Sequence, residues 1–126
     1  MQFNEHKTIY LQIADYVYDQ ILSGIWPDGE RIPSVRDMAV QLEVNPNTVI
    51  RTYNMLLEDG TLQNKRGIGY FTADNARESV KDKLKSRFIE RELPDVFRAM
   101  NTLGISPEQV GSLYDAYMEK HSDEIK

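Results

Sequence analysis

Residues 32–72 read IPSVRDMAVQLEVNPNTVIRTYNMLLEDGTLQNKRGIGYFT, and this stretch decides the fold. Ser34 precedes Val35-Arg36-Asp37, so its hydroxyl is placed to cap a helix whose third residue is Asp37, a variant of the capping box. Met38, Ala39 and Leu42 then share one helical face, and the pattern stops near Glu43. Asn45-Pro46-Asn47-Thr48 is a stronger start. Asn45 suits the N-cap, and Pro46 at the first helical position gives up no hydrogen bond. Val49, Tyr53, Leu56 and Leu57 recur at helical spacing, and Gly60 ends the run in the left-handed conformation. Pro46 keeps Val44-Asn45 out of continuous helix, so the two helices meet at an angle, as in a helix-turn-helix. Residues 61–64 and 70–72 read as paired strands. The basic loop Lys65-Arg66-Gly67-Ile68-Gly69 joins them, and its glycines permit a sharp bend.

Upstream, Thr8 is placed to cap a helix running to about Ser23, with residues 1–7 as a loose leader. Ile9, Ile13, Val17 and Ile21 form its apolar stripe, widened by Tyr10, Ala14 and Leu22. Trp26, in the turn that follows, reads as a packing residue, and Arg31-Ile32 as a short strand beside the wing. Downstream, a helix is expected over residues 75–92, with Val80, Leu84 and Phe88 on one stripe, until Leu93-Pro94 interrupts or kinks it. The pattern resumes over 95–103 with Val96, Phe97 and Met100, and Gly104 terminates it. Ser106-Pro107-Glu108-Gln109 starts a last helix, whose buried face is expected to hold Val110, Leu113, Tyr114, Tyr117 and Met118.

The expected fold is mainly α (α+β). Residues 1–74 form an N-terminal winged helix-turn-helix domain of three helices plus a small β-hairpin wing, and residues 75–126 form a short all-α arm. Such an arm has too few elements to enclose its apolar side chains in a core of its own. It is therefore expected to dimerise through Val80, Leu84, Phe88, Val96, Phe97, Met100, Val110, Leu113, Tyr114 and Tyr117. The alternative is an arm that folds back on its own winged domain.

Charge argues against nucleic acid at first sight, since the 126 residues carry a formal −5. Residues 1–74 are the more acidic part, with six Lys/Arg against ten Asp/Glu, compared with nine against ten in residues 75–126. The few cations are well placed, however. Arg31, Arg36, Arg51, Lys65 and Arg66 all fall in the helix-turn-helix and wing. An acidic body with one basic face binds DNA modestly and in a salt-sensitive way, and a dimer doubles its phosphate contacts.

In its helix-turn-helix and wing the chain resembles the GntR family of bacterial transcription regulators. The matching residues are Ile32-Pro33-Ser34-Val35-Arg36, Val44 to Val49, Leu57-Glu58-Asp59-Gly60 and Arg66-Gly67-Ile68-Gly69-Tyr70-Phe71. The Asn45-Pro46-Asn47-Thr48-Val49 form is most similar to the YtrA-type subfamily, whose short helical tails resemble dimerisation arms. The resemblance implies a DNA contact at Arg36, where the bland reading is a surface salt bridge with Asp37 or Glu30. It also implies three departures. Val35 stands for a usual Glu. Glu43 stands for a usual turn Gly, which suggests a looser turn or a helical residue. Ile50 stands for an Arg that contacts DNA in many relatives, so Arg51 is left to serve instead.

A recognition helix offers its N-terminal side chains to base edges in the major groove. Here those are Asn47, Thr48 and Arg51, beside the capping residues Asn45 and Ser34, although Asn47 and Thr48 could merely complete the cap. Lys65, Arg66 and Gly67 would carry the wing into or along the minor groove, or else form an ordinary hairpin with solvated charges. The expected partners are a double-stranded DNA operator and a second copy of the chain, with a small-molecule effector left open. The expected role is a homodimeric repressor on an inverted-repeat operator, against the alternative of a winged-helix protein-interaction module. An enzyme is not expected, because no nucleophile–base pair or phosphate loop stands out, and no cofactor or metal is implied. His6 and His121, near the chain ends, are the only histidines. With no cysteine, no signal-peptide pattern and no membrane-length apolar run, a cytoplasmic protein is expected.

Overall fold

The computed structural model describes residues 7–124. The leader expected over residues 1–7 lies outside them except for Lys7, which is anchored. Its ammonium pairs with Asp15, and its carbonyl accepts from Gln12 Nε2 at 2.6 Å. The elements run α1 (Ile9–Leu22), α2 (Val35–Leu42), α3 (Pro46–Glu58), β1 (Leu62–Lys65), β2 (Gly69–Thr72), α4 (Ala76–Arg87), a π-helical turn (Phe88–Glu92), α5 (Leu93–Leu103) and α6 (Pro107–Lys120). Packing divides the chain into two compact units, the first ending at Leu84 and the second beginning at Lys85.

In the first unit α1 is the platform. Ile13, Val17 and Ile21 are fully buried, and Ile9, at the open end of the stripe, is not. Thr8 occupies the N-cap position without making a side-chain cap bond, contrary to the expectation. Thr52 of α3 is buried against α1, with its hydroxyl 2.9 Å from the Tyr10 carbonyl. Met38, Ala39 and Leu42 of α2 and Val49, Tyr53 and Leu56 of α3 complete the helical core. Trp26 packs edge-on against Tyr16 with ring centroids 6.2 Å apart, as a packing residue should.

The turn between α2 and α3 corrects one expectation. Glu43 neither loosens the turn nor extends the helix. It takes the left-handed conformation itself, at φ 56°, ψ 48°, and Val44 N–H closes the turn by donating to the Ala39 carbonyl at 3.0 Å. A side chain in that region costs about 1–2 kcal/mol, which surrounding packing must offset.

The wing is a two-stranded antiparallel hairpin with Leu62 opposite Thr72 and Lys65 opposite Gly69. Arg31 adds an isolated bridge to Phe71, as the sequence suggested. Buried Thr72 fixes the root of the hairpin. Its hydroxyl donates to the Pro27 carbonyl at 2.6 Å and accepts from Glu30 N–H at 2.9 Å.

A second correction concerns α4. The sequence assigns Val80 and Leu84 to the dimerisation face of an arm starting at residue 75. Val80 and Ala76 are instead fully buried members of the winged unit's core, and Leu84 packs against that core. The stripe was real, but periodicity reports that a face is buried and not against what. Polar bonds fasten the same helix. Asp28 accepts from Arg77 N–H at 2.9 Å, and Lys83 donates to Asp59 at 2.5 Å and to Thr61 Oγ1 at 3.3 Å. Burial pushes the Asp59 carboxyl upward, but Lys83 and the Thr61 donors outweigh it, so its pKa lies below the ordinary value of 3.8.

In the second unit, the helix expected to continue to residue 92 widens into the π-helical turn, where Leu93 N–H donates to the Phe88 carbonyl. Pro94 has no N–H for the Glu90 carbonyl, and widening the turn accommodates that loss. Ser106 caps α6 by accepting from Gln109 N–H at 3.1 Å. The faces of α5 and α6 expected to be buried are not covered within this unit. Phe88, Val96, Phe97, Val110, Leu113, Tyr114 and Tyr117 are all exposed, and Met100 and Met118 are half-buried.

Candidate nucleic-acid interface

Local chemistry builds the start of each helix in the helix-turn-helix. Ser34 Oγ accepts from Asp37 N–H at 3.1 Å, which caps α2 and leaves the hydroxyl hydrogen free to donate outward. Arg36, in the first turn, is exposed and forms no ion pair with Asp37 or Glu30 among the described residues, so the salt-bridge reading does not hold. Asn45 Oδ1 accepts from Asn47 N–H at 2.8 Å. Asn45 is therefore occupied as the cap, while the side chains of Asn47 and Thr48 take no part in it among the described residues.

Buried Tyr53 sets the angle of α3. Its hydroxyl donates to the Pro33 carbonyl at 2.7 Å, and its ring meets Tyr70 edge-on at 4.8 Å. Burial, with the neighbouring Tyr70, Tyr16 and Asp37, pushes this phenol well above its ordinary range, so it stays a donor at every physiological pH. One ring thus holds the recognition helix against both the loop before α2 and the second strand of the wing.

The solvent face of α3 forms an open concave strip. Asn47, Ile50, Arg51, Asn54, Met55 and Glu58 line it together with Tyr10 of α1. The sequence reading placed Asn47 and Arg51 here and missed Asn54, although the helical spacing from Asn47 could have found it. Arg51 does not extend freely. Its guanidinium lies 3.8 Å from the centroid of the Tyr10 ring. An exposed contact of this kind is worth about 0.5–1 kcal/mol, little enough for a phosphate or base to displace it.

At the wing, Arg66, Gly67 and Ile68 form the exposed tip, closed by Ile68 N–H donating to the Lys65 carbonyl at 2.9 Å. Gly67 turns there with φ +78°, a conformation that few side chains tolerate. Lys65 leans over the Phe71 ring at 4.3 Å, and Arg66 makes no ion pair among the described residues. Arg31 lies so close to Gly69 that a Cβ there would sit 3.2 Å from its Nε. Among the described residues no group of His, Asp and Glu is arranged to hold a metal, and His121 stacks on Tyr117 at 4.1 Å; His6 lies outside those residues.

A capped recognition helix, an exposed arginine at the start of the preceding helix and a basic glycine-tipped hairpin define a winged helix-turn-helix DNA-binding domain. The family described as bacterial regulatory proteins, gntR family, matches residues 9–71. The Bacillus subtilis HTH-type transcriptional regulator YhcF is 38% identical over 109 residues, covering 86% of this chain and 88% of its own. The HTH-type transcriptional repressor YtrA of the same organism is 30% identical over 102 residues, covering 81% of this chain and 78% of its own. A crystal structure of a GntR-family transcriptional regulator from Bacteroides thetaiotaomicron superposes with a TM-score of 0.79 at 40% identity, covering 90% of this chain and 99% of that one. The protein belongs to the GntR family and is a DNA-binding transcription regulator, not an enzyme.

Proposed function

We propose that the protein is a homodimeric repressor that binds an inverted-repeat operator, with α3 in the major groove and the wing in or near the minor groove. The observation that carries the dimer is the uncovered apolar face of the second unit, where α5 and α6 hold no buried residue. Leu113, Tyr114 and Tyr117 are each 57–61% exposed on one helix. Clustered apolar exposure of this kind marks an interface, and a second copy supplies a matching surface. Phe88, Val96, Phe97, Met100, Val110, Leu113, Tyr114 and Tyr117 form the proposed contact, without Val80 and Leu84.

A two-fold dimer reads a two-fold operator. Ser34, Arg36 and the wing residues Lys65, Arg66 and Gly67 hold the backbone, while Asn47, Thr48 and Arg51 face the bases. The repressor role follows the name given to YtrA, and such a regulator works in the cytoplasm. No helix among the described residues is long and apolar enough to cross a membrane. A small-molecule effector is not required by this reading. A thermal-shift screen over broad metabolite sets decides whether one acts.

The test is a mobility shift on the DNA upstream of the protein's own gene, repeated across salt, with Arg36→Ala plus Arg51→Ala as the variant. Loss of binding with unchanged dimer mass is expected. A double variant that binds as before overturns the contact assignment, and a flat salt response overturns the phosphate contacts.

A further inference from the structure

We infer that α3 reads A·T pairs, with Ile50 seated on a thymine 5-methyl group and Asn47 and Asn54 on either side of it. The inference rests on the DNA-binding reading above and adds the base chemistry. Asn47, Ile50 and Asn54 fall at helical spacing on one face of α3 and line the same concave strip. Ile50 is 42% exposed, whereas Val49, Tyr53 and Leu56 of the same helix are fully buried. Half-buried Met55 is the other apolar side chain of α3 that lines the strip. Arg51 lines the strip as well, with its guanidinium stacked on Tyr10 in a contact weak enough for a phosphate or base to displace. Ile50 is thus an exposed aliphatic side chain set between two amides, Asn47 and Asn54, in a strip that Arg51, Met55 and Glu58 also line.

Each of these groups has one good partner in the major groove. An amide side chain pairs in bidentate fashion with adenine N6 and N7, and an aliphatic side chain meets the thymine methyl. At a G·C pair the same aliphatic group would cover amino and keto groups without replacing their hydrogen bonds to water. Ile50 and the two amides beside it thus favour A·T pairs.

The experiment selects binding sites from a random duplex pool with the full chain. Each thymine of the selected site is then replaced in turn by deoxyuridine, which removes the methyl alone. One replaced thymine for each bound subunit should weaken binding roughly three- to fivefold, the worth of one buried methyl group. That loss should vanish in Ile50→Ala and survive in Ile50→Val. Because Ile50 is exposed, both variants should fold as the parent does. An enriched site without A·T pairs, unchanged affinity at every deoxyuridine, or the same loss in Ile50→Ala overturns the inference and leaves DNA binding standing. A pool that enriches no sequence overturns both.

Discussion

Replacing Val80 by Ala separates the two assignments that α4 has received. Val80 is fully buried among the core residues of the winged unit. The substitution removes two methyl groups, about 1.6 kcal/mol of transfer free energy, and leaves a cavity that brings the total to about 2–3 kcal/mol. In a unit of this size each kcal/mol moves Tm by about 4–8 °C, so a fall of about 10–20 °C is expected. Self-association should not change. The control is Val96→Ala in α5, where the parent side chain is 45% exposed within the chain. Its expected effect on the winged unit is within about 0.5 kcal/mol, but dimer dissociation should rise. Melts followed by far-UV circular dichroism at two protein concentrations, with mass from sedimentation equilibrium, separate folding from association. If Val80→Ala dissociates the dimer and leaves the melt of the winged unit unmoved, α4 belongs to the arm and the packing argument is wrong.

Lys83→Met should destabilise the protein by about 1–2 kcal/mol at pH 7, because Asp59 loses its charged donor while remaining partly buried. With a folded pKa below 3.8, Asp59 contributes stability that is full above that value and lost as pH falls through its folded pKa. In the variant that acid-sensitive contribution should shrink, so parent and variant should converge in stability as pH falls, and melts between pH 7 and pH 2 that keep a constant gap would refute the pair. Glu43→Gly should stabilise by about 0.5–1 kcal/mol, since glycine relieves the left-handed strain at some cost in unfolded-state entropy. A urea midpoint that falls would show the turn to be unstrained. Lys65→Ala plus Arg66→Ala should weaken DNA binding evenly across sequences and flatten the slope of log K against log salt by roughly 0.9 for each phosphate released. An unchanged slope would remove the wing from the duplex.

Helix starts were legible because capping is local. Ser34, Asn45 and Ser106 each accept the bond that their spacing from the next residues implies. The hairpin was legible for the same reason, since turn glycines and alternation act within a few residues. Glu43 was misread because its conformation is imposed by closure of the turn, not by its own preference. The destination of α4 depends on Val80 meeting residues far along the chain, which no period reveals. The stacking of Arg51 on Tyr10 likewise joins residues far apart in sequence, so the sequence identified the arginine as basic but not where its charge rests.

The Thr72 bonds make the hairpin a cantilever, clamped at its root and closed at its far end only by its own turn. A load placed on Arg66 by a duplex would reach Pro27 and Glu30 through the Thr72 hydroxyl. Ile32 N–H, donating to the Tyr70 carbonyl at 3.0 Å, continues the path to Pro33, where Tyr53 of α3 is attached. If the tip lies in a groove, as proposed, the width of that groove has a mechanical route to α3 that bypasses the bases altogether.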